Sequence, residues 1–429
     1  MIARLMPRVY EGWVVVGATA FIVTMIGAVF FYGFGTIFNP LRAEFGWSAT
    51  ATSIAFALRQ ETSGIASPFI GMAIDRWGSR VVLLCGLAVV SLGVVAMSMM
   101  TNLWQFYAVM VLIAVGTSAS GGQVGLVAIA TWFEERRARA MSVMTVGGGI
   151  AGLLVVGVAA LVEWLGWRGA LQVLAAMVLV VGGIAAMNVR SRPANHPQPM
   201  DGITRAPRPG GFAPYQDWGV PLSKAVRSRA YLVFTYSILA NGFATTALIV
   251  LQIPFFESLG VSKTLAGTSV AVFTVTSIIG RLGAGVLADR FPKRYVLAAS
   301  VGLVGAGMPL LALTHSFWPA MAVMVLIAPG FGGAIPVRPA MLADYFGTKY
   351  FGTLNGISAL ITTFGGFGSP ILVGWLVDTT NSYSVGWIIC GVIGLTAVPA
   401  ALASRPPRVL IEAYQPSRTA RGDEAAAGS

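Results

Sequence analysis

Apolar residues come in runs of twenty or more along this chain, broken by short clusters of charge, proline, asparagine and glycine. Such a run crosses roughly 30 Å of hydrocarbon as a helix, with its backbone N–H and C=O groups bonded within the segment. Breaks at these clusters predict twelve spans, at 13–38, 49–74, 79–100, 104–130, 139–163, 167–189, 230–257, 263–288, 294–314, 317–343, 351–377 and 384–404. The one long polar interruption, 190–229, is rich in Pro, Arg and Gly and reads as a linker between a six-helix half at 1–189 and another at 230–404. Residues 405–429 form a polar tail that, like the linker, is expected to be disordered. The expected class is an all-α membrane protein of twelve transmembrane helices in two bundles.

Composition agrees. The chain has 429 residues, 56% hydrophobic and 10% charged, where a soluble domain carries about 25% charge. The first apolar run is too long for a signal-peptide core and reads as an uncleaved span. The net charge of +12 raises the question of nucleic acid, but its distribution answers it. With the N-terminus inside, cytoplasmic segments hold 22 of the 28 Lys and Arg residues. External loops hold Arg42, Arg168 and Lys263, and the spans hold Arg59, Arg281 and Arg338. That asymmetry follows the positive-inside rule, so the basicity reports topology: a plasma-membrane protein, with both termini cytoplasmic and the linker and tail beside anionic lipid.

The halves repeat at one spacing. GMAIDRWGSR at 71–80 matches GVLADRFPKR at 285–294, pairing Gly71, Asp75, Arg76 and Arg80 with Gly285, Asp289, Arg290 and Arg294, each 214 residues on. The same offset joins Gly46 and Ser48 to Gly260 and Ser262, and LIAVG at 112–116 to LIAPG at 326–330. An internal duplication with six spans per half gives both halves one orientation, the arrangement in which two bundles rock about a central site.

The pattern G-x-x-x-D-R-x-G-x-R between spans two and three resembles the signature of the major facilitator superfamily, which implies the major facilitator fold. The motif's charges suit gating: Asp75 and Asp289 can face helix termini, while Arg76, Arg80, Arg290 and Arg294 meet phosphates or the partner bundle. Setting orientation alone is the plainer alternative, although aspartate adds nothing to the positive-inside rule. Three further stretches resemble the monocarboxylate carriers and the oxalate/formate exchangers: YEGWVVV at 10–16, WFEERRARAMSVMTVGGGIAG at 132–152 and LGWRGAL at 165–171. Arg136 and Arg137 of the second stretch join the expected gating charges. Its cluster Gly147–Gly149 and Gly152 is expected to serve close helix packing.

In those carriers an arginine of the eighth span binds the substrate carboxylate, and Arg281 occupies that position. The resemblance thus implies a secondary transporter of small organic anions, monocarboxylates such as lactate or pyruvate, with protons as the co-substrate. The physics agrees, since an anion deep in protein needs a permanent cation and guanidinium matches carboxylate geometry. The alternative for Arg281 is a structural ion pair. Departures from the family matter: Ser277 stands where proton-coupled carriers have aspartate, span one lacks their lysine, and span eleven lacks the exchanger's lysine. Span two offers Arg59 and Glu61 instead. Glu61 is either a proton carrier or part of a structural network with Arg59, and Arg59 could also form a second anion site for a dicarboxylate. Tyr32, Gln123, Asn241 and Ser277 are candidates to hydrogen-bond substrate, with interhelical bonding as the alternative for each. Arg338, between Pro336 and Pro339, is read as a snorkelling or structural charge.

Rival classes find less support. A drug exporter would favour a broad apolar cavity, and a dicarboxylate exchanger a second cation. An enzyme would need a nucleophile–base pair, a metal cluster or paired carboxylates, and away from their ends (Glu163 and Glu257) the spans offer Glu61 alone as an acid. Cys85 and Cys390 lie within spans, and His196 and His315 are isolated. No catalytic residue, metal, cofactor or ATP-binding motif is expected, and a monomer is.

Overall fold

The structure, a computed structural model, describes residues 10–193, 198, 200–202 and 217–415; the side chains of Phe31 and Tyr32 lie outside the described part. Twelve helices cross back and forth. In the first half, α1 runs through Glu11–Ile26, a wide turn Gly27–Tyr32 and Phe34–Phe45, followed by α2, Ala49–Trp77, and α3, Ser79–Met99. α4 joins Leu103–Ser120 to Gly122–Trp132. α5 runs from Arg137–Ile150 through Ala151–Leu154 into Val155–Ala186, where non-helical Gly166 (φ 68°, ψ 165°) divides it from α6. The second half holds α7, Arg229–Ser258; α8, Lys263–Arg290; α9, Lys293–Ala312; α10, Phe317–Phe346; α11, Phe351–Thr380; and α12, Ser384–Ala403.

By length and apolarity alone, 10 stretches among the described residues could cross a membrane. The remaining two crossings come from geometry. α5 and α6 form one apolar stretch divided at Gly166, and α2 carries Arg59, Glu61, Asp75 and Arg76. One expected boundary moves: α1 does not stop at Phe38 but continues over Pro40 to Phe45, where Gly46 at φ 67° ends it with a left-handed turn. Only glycine takes that turn without cost.

Both described ends of the chain and the linker lie on one side, called here the terminal face. On that side the apolar cores of the two halves merge, with Ile74 and Met141 in the same cluster as Ala288, Met341 and Leu354. Toward the opposite side the second half keeps a separate core around Phe255, Phe256, Phe317 and Trp387. α2 packs on α11, and α5 on α8 and α10. Glycines set these approaches. A Cβ on Gly71 would stand 2.2 Å from the Gly352 carbonyl oxygen, and one on Gly149 would stand 2.8 Å from Ile278. The expectation of close packing holds for Gly147, which abuts the Ala20 carbonyl, and for Gly149, while Gly148 faces Arg281.

The expected disorder does not hold over the described parts of the linker and tail, which include the short helices Leu222–Arg227 and Arg408–Tyr414; residues 194–197, 199, 203–216 and 416–429 lie outside the described part. Asp201, buried at φ 59°, accepts backbone N–H bonds from Glu134, Glu135 and Arg136 at the start of α5. Burial pushes its carboxyl pKa up while those donors pull it down. At the equivalent loop of the second half, Trp218 takes the N–H groups of Thr348 and Lys349, and Thr348 donates to Asp217. Each end of the linker is thus fastened to one half.

Candidate functional site

Asp75 and Asp289 lie at the terminal-face ends of α2 and α8, and each reaches into the other half. Asp75 accepts from the Gly352 and Thr353 N–H groups, both at 2.8 Å, and from the Thr353 hydroxyl at 2.6 Å, at the N-terminus of α11. Asp289 accepts from the Ala138 and Arg139 N–H groups at 3.0 and 3.2 Å, at the N-terminus of α5. Ala138 and Arg139 lie 214 residues before Gly352 and Thr353, so the sequence offset reappears in the hydrogen bonds. A carboxylate on orphan N–H donors at a helix N-terminus is favoured by both the bonds and the helix dipole.

The motif's arginines are placed differently. Arg80 donates to the Val189 carbonyl of its own half at 3.1 Å, Arg76 lies over Trp77, and Arg294 donates to Tyr295. Arg290 is exposed. None of the four bonds to the other half among the described residues. The cations that do are Arg139, whose Nε lies 3.7 Å from Asp289, and Arg137, which donates to Asp344 on α10 and to the Phe133 and Ala130 carbonyls; Lys293 holds the other oxygen of Asp344 at 2.6 Å. Arg136 contributes its backbone N–H to Asp201. These contacts close the terminal face. A Gly71→Ala variant should lower turnover by at least about tenfold while remaining folded, because its Cβ meets backbone that must approach only when the halves close. Uptake together with a thermal melt checks this; unchanged turnover would show that the close approach is dispensable.

Deeper in, Arg281 of α8 is 9% exposed and donates to the Thr145 carbonyl of α5, across the boundary between halves. A Cβ on Gly148 would stand 3.7 Å from its Nη1 and 3.8 Å from Val23 of α1. The guanidinium therefore lies where α1, α5 and α8 converge, about 12 Å from Asp289 along the helix.

The other expected substrate contacts do not gather there. Ser277 is buried, bonds back to Thr274 and is covered by Gly332 of α10. Gln123 donates to the Ser67 and Gly352 carbonyls at 3.1 and 3.2 Å, tying α4 to α2 and α11 within the closed face. Asn241 is 1% exposed on the side of α7 shared by Ser237 and Ala244, which pack on α12, so it points into its own bundle. Arg59 is buried and donates to Gln60 at 3.4 Å, two turns farther from the terminal face than Ser67. The Tyr32 side chain lies outside the described part. Glu61 is half-buried above Gly64, where α2 meets Thr363 of α11, and makes no hydrogen bond or ion pair among the described residues.

An apolar groove of about 700 Å³ between α8, α9 and α10 lies on the outer flank, lined by Ile279, Leu287, Phe291 and Leu303 and turned away from Arg281. The residues that sequence alone missed are Thr145, which contributes only a carbonyl, and Asp344 and Lys293, the partners of the expected gating charge Arg137.

The stretches that carried the resemblance have structural roles. Tyr10 donates to the Trp132 carbonyl at 2.7 Å and Trp13 packs edge-on to Phe133, joining the first stretch to the second. At the opposite face Trp167 and Arg168 each hold Glu44 at 2.6 Å, tying α6 to the end of α1.

The sequence profile of the Major Facilitator Superfamily matches residues 20–256 and 232–420. Monocarboxylate transporter 11 of Mus musculus is 28% identical over 390 residues, 88% of this chain and 84% of the relative. The uncharacterized MFS-type transporter YcxA of Bacillus subtilis is 25% identical, with 84% and 87% of the two chains aligned. The crystal structure of the transporter FucP in the outward conformation superposes with a TM-score of 0.73 at 13% identity, over 92% of this chain and 100% of that one.

Proposed function

This chain belongs to the Major Facilitator Superfamily and is a membrane transporter of that fold, and we propose that it moves small organic anions by alternating access, with Arg281 seating the carboxylate. The observation that carries the reading is a buried guanidinium at the meeting of three helices from two halves, bonded across their boundary. A cation there is costly unless it is used, and it binds an anion in a water-poor cavity where the attraction is strong. Several relatives are named monocarboxylate transporters, which makes lactate and pyruvate the first substrates to test. The terminal face is taken as cytoplasmic and is closed by the contacts described above, so substrate entry in this state is proposed to be from the outside.

Protons are the proposed driver and Glu61 their carrier. It is the only acid at mid-depth, on the side of α2 that faces the other half. Purified protein in liposomes should accumulate labelled lactate or pyruvate when the outside is acidic. In Glu61→Gln, pH-driven accumulation should fall about tenfold or more while carboxylate counterflow persists. Retained proton-driven accumulation in the variant would remove Glu61 from this role, and no response to any short carboxylate would remove the central reading.

A second reading, exchange of short dicarboxylates, is favoured by one observation: a second arginine without a partner among the described residues lies within about two turns of Arg281, on the neighbouring helix α10.

A further inference from the structure

That second arginine is Arg338 of α10. α8 and α10 run in the same direction, and Phe273 and Phe331 meet between them with ring centroids 5.2 Å apart. Arg281 lies eight residues beyond Phe273 and Arg338 seven beyond Phe331, and the backbone contacts of Gly280 with Pro329 and of Gly332 with Ser277 set Arg338 within about two turns of Arg281, on its terminal-face side. Rotation around α10 gives the direction. Trp318, Val325 and Pro329 mark its outer side, the first two exposed and the last lining the outer groove. Nine residues at about 100° each put Arg338 on the opposite side, facing inward with Phe331 and Ile335. These three are half-buried while Pro336, Val337, Pro339 and Ala340 around them are sealed.

No hydrogen bond or ion pair reaches Arg338 among the described residues, and its Nε is buried without a partner. Asp344, the acid closest along its helix, is already held by Arg137 and Lys293. Rotation thus puts Arg338 on the inward side of α10, beside the helix that carries Arg281, with Glu61 the sole acid at mid-span. Like charges in a water-poor space repel, and an anion with two negative ends removes the repulsion.

We infer that Arg338 is a second anion-binding position, and that the preferred substrate is a short dicarboxylate with one carboxylate on Arg281 and the other on Arg338. This rests on the carboxylate role of Arg281 and narrows the substrate class of the same site. Of the two sequence expectations, snorkelling does not fit a side chain turned away from lipid and about two turns inside the helix end, and a structural charge finds no partner for Arg338 among the described residues.

The test is competition against a labelled short carboxylate by acetate, lactate, oxalate, malonate and succinate in proteoliposomes at pH 7. The parent protein, Arg338→Gln, Arg338→Lys and Arg281→Gln are compared. The parent should bind at least one of the three dicarboxylates tenfold or more tightly than acetate and lactate. Arg338→Gln should erase that preference, weakening dicarboxylates at least tenfold more than monocarboxylates, and Arg338→Lys should keep part of it. A parent that prefers monocarboxylates, or an Arg338→Gln that weakens both classes equally or neither, overturns the inference. If Arg338→Gln does not fold, the parent's preference and Arg338→Lys decide. Arg281→Gln should lose both classes. Intact binding in that variant overturns the carboxylate site itself, a failure distinct from the loss of Arg338 alone.

Discussion

Arg281→Ala should abolish carboxylate uptake. Truncating one partner of a desolvated, hydrogen-bonded charge pair costs about 2–5 kcal/mol, a loss of roughly thirtyfold to several thousandfold in affinity. Arg281→Lys keeps the charge but loses the planar fork that can hold the Thr145 carbonyl and a carboxylate together. It should retain uptake with a KM raised about 10–100-fold. Calorimetric binding to purified protein separates the site from the cycle. Undiminished binding to Arg281→Ala would place the anion elsewhere. Because the Thr145 bond crosses between halves, a carboxylate bound as proposed would share the guanidinium with a contact that also joins the bundles, which would couple occupancy to movement through one side chain.

The second large effect is expected at the terminal face. Asp75→Asn and Asp289→Asn keep the shape of the caps but remove their charge from the N-termini of α11 and α5. Loss of the charge–dipole term and of charge-assisted bonding is worth about 1–2 kcal/mol at each site. Together the two should shift the closed–open balance by roughly thirty- to a thousandfold toward a terminal face that is open. Ser142, fully buried against Gly285, reports on it as Ser142→Cys in a background lacking Cys85 and Cys390. Maleimide labelling should be slow with both aspartates present and fast in the double variant. Equal rates would show that the caps do not hold the gate.

Much of this was legible in the sequence because it depends on cost. A charge in hydrocarbon is expensive, so Arg281 stood out, and the 214-residue repeat was visible because both motifs keep glycine and aspartate at matched positions. The partners of Asp75 and Asp289 were not legible, since backbone N–H groups leave no mark in residue identity. Asn241 reads the same whether it points into its own bundle or into the shared cavity. The direction of Arg338 was not legible for a related reason: depth can be counted along a chain, but the direction of a side chain depends on which face its neighbours cover. The linker's composition suggested disorder throughout, yet Asp201 fixes one end of it by collecting three donors that α5 leaves unpaired.

The crossed caps carry a further consequence. Asp75 to the start of α11 and Asp289 to the start of α5 form one contact written twice, related by the pseudo-twofold between the halves. That is the symmetry of an isologous dimer, in which one patch on each subunit meets its own copy. A six-helix protein carrying a single aspartate and a single recipient helix would make both contacts by pairing with itself. Fusion of two such copies then requires no new gate, only a tether, and it frees each copy to drift. Arg281 opposite Ser67 at the matched position records that drift, with a symmetric lock retained around a site that has become one-sided.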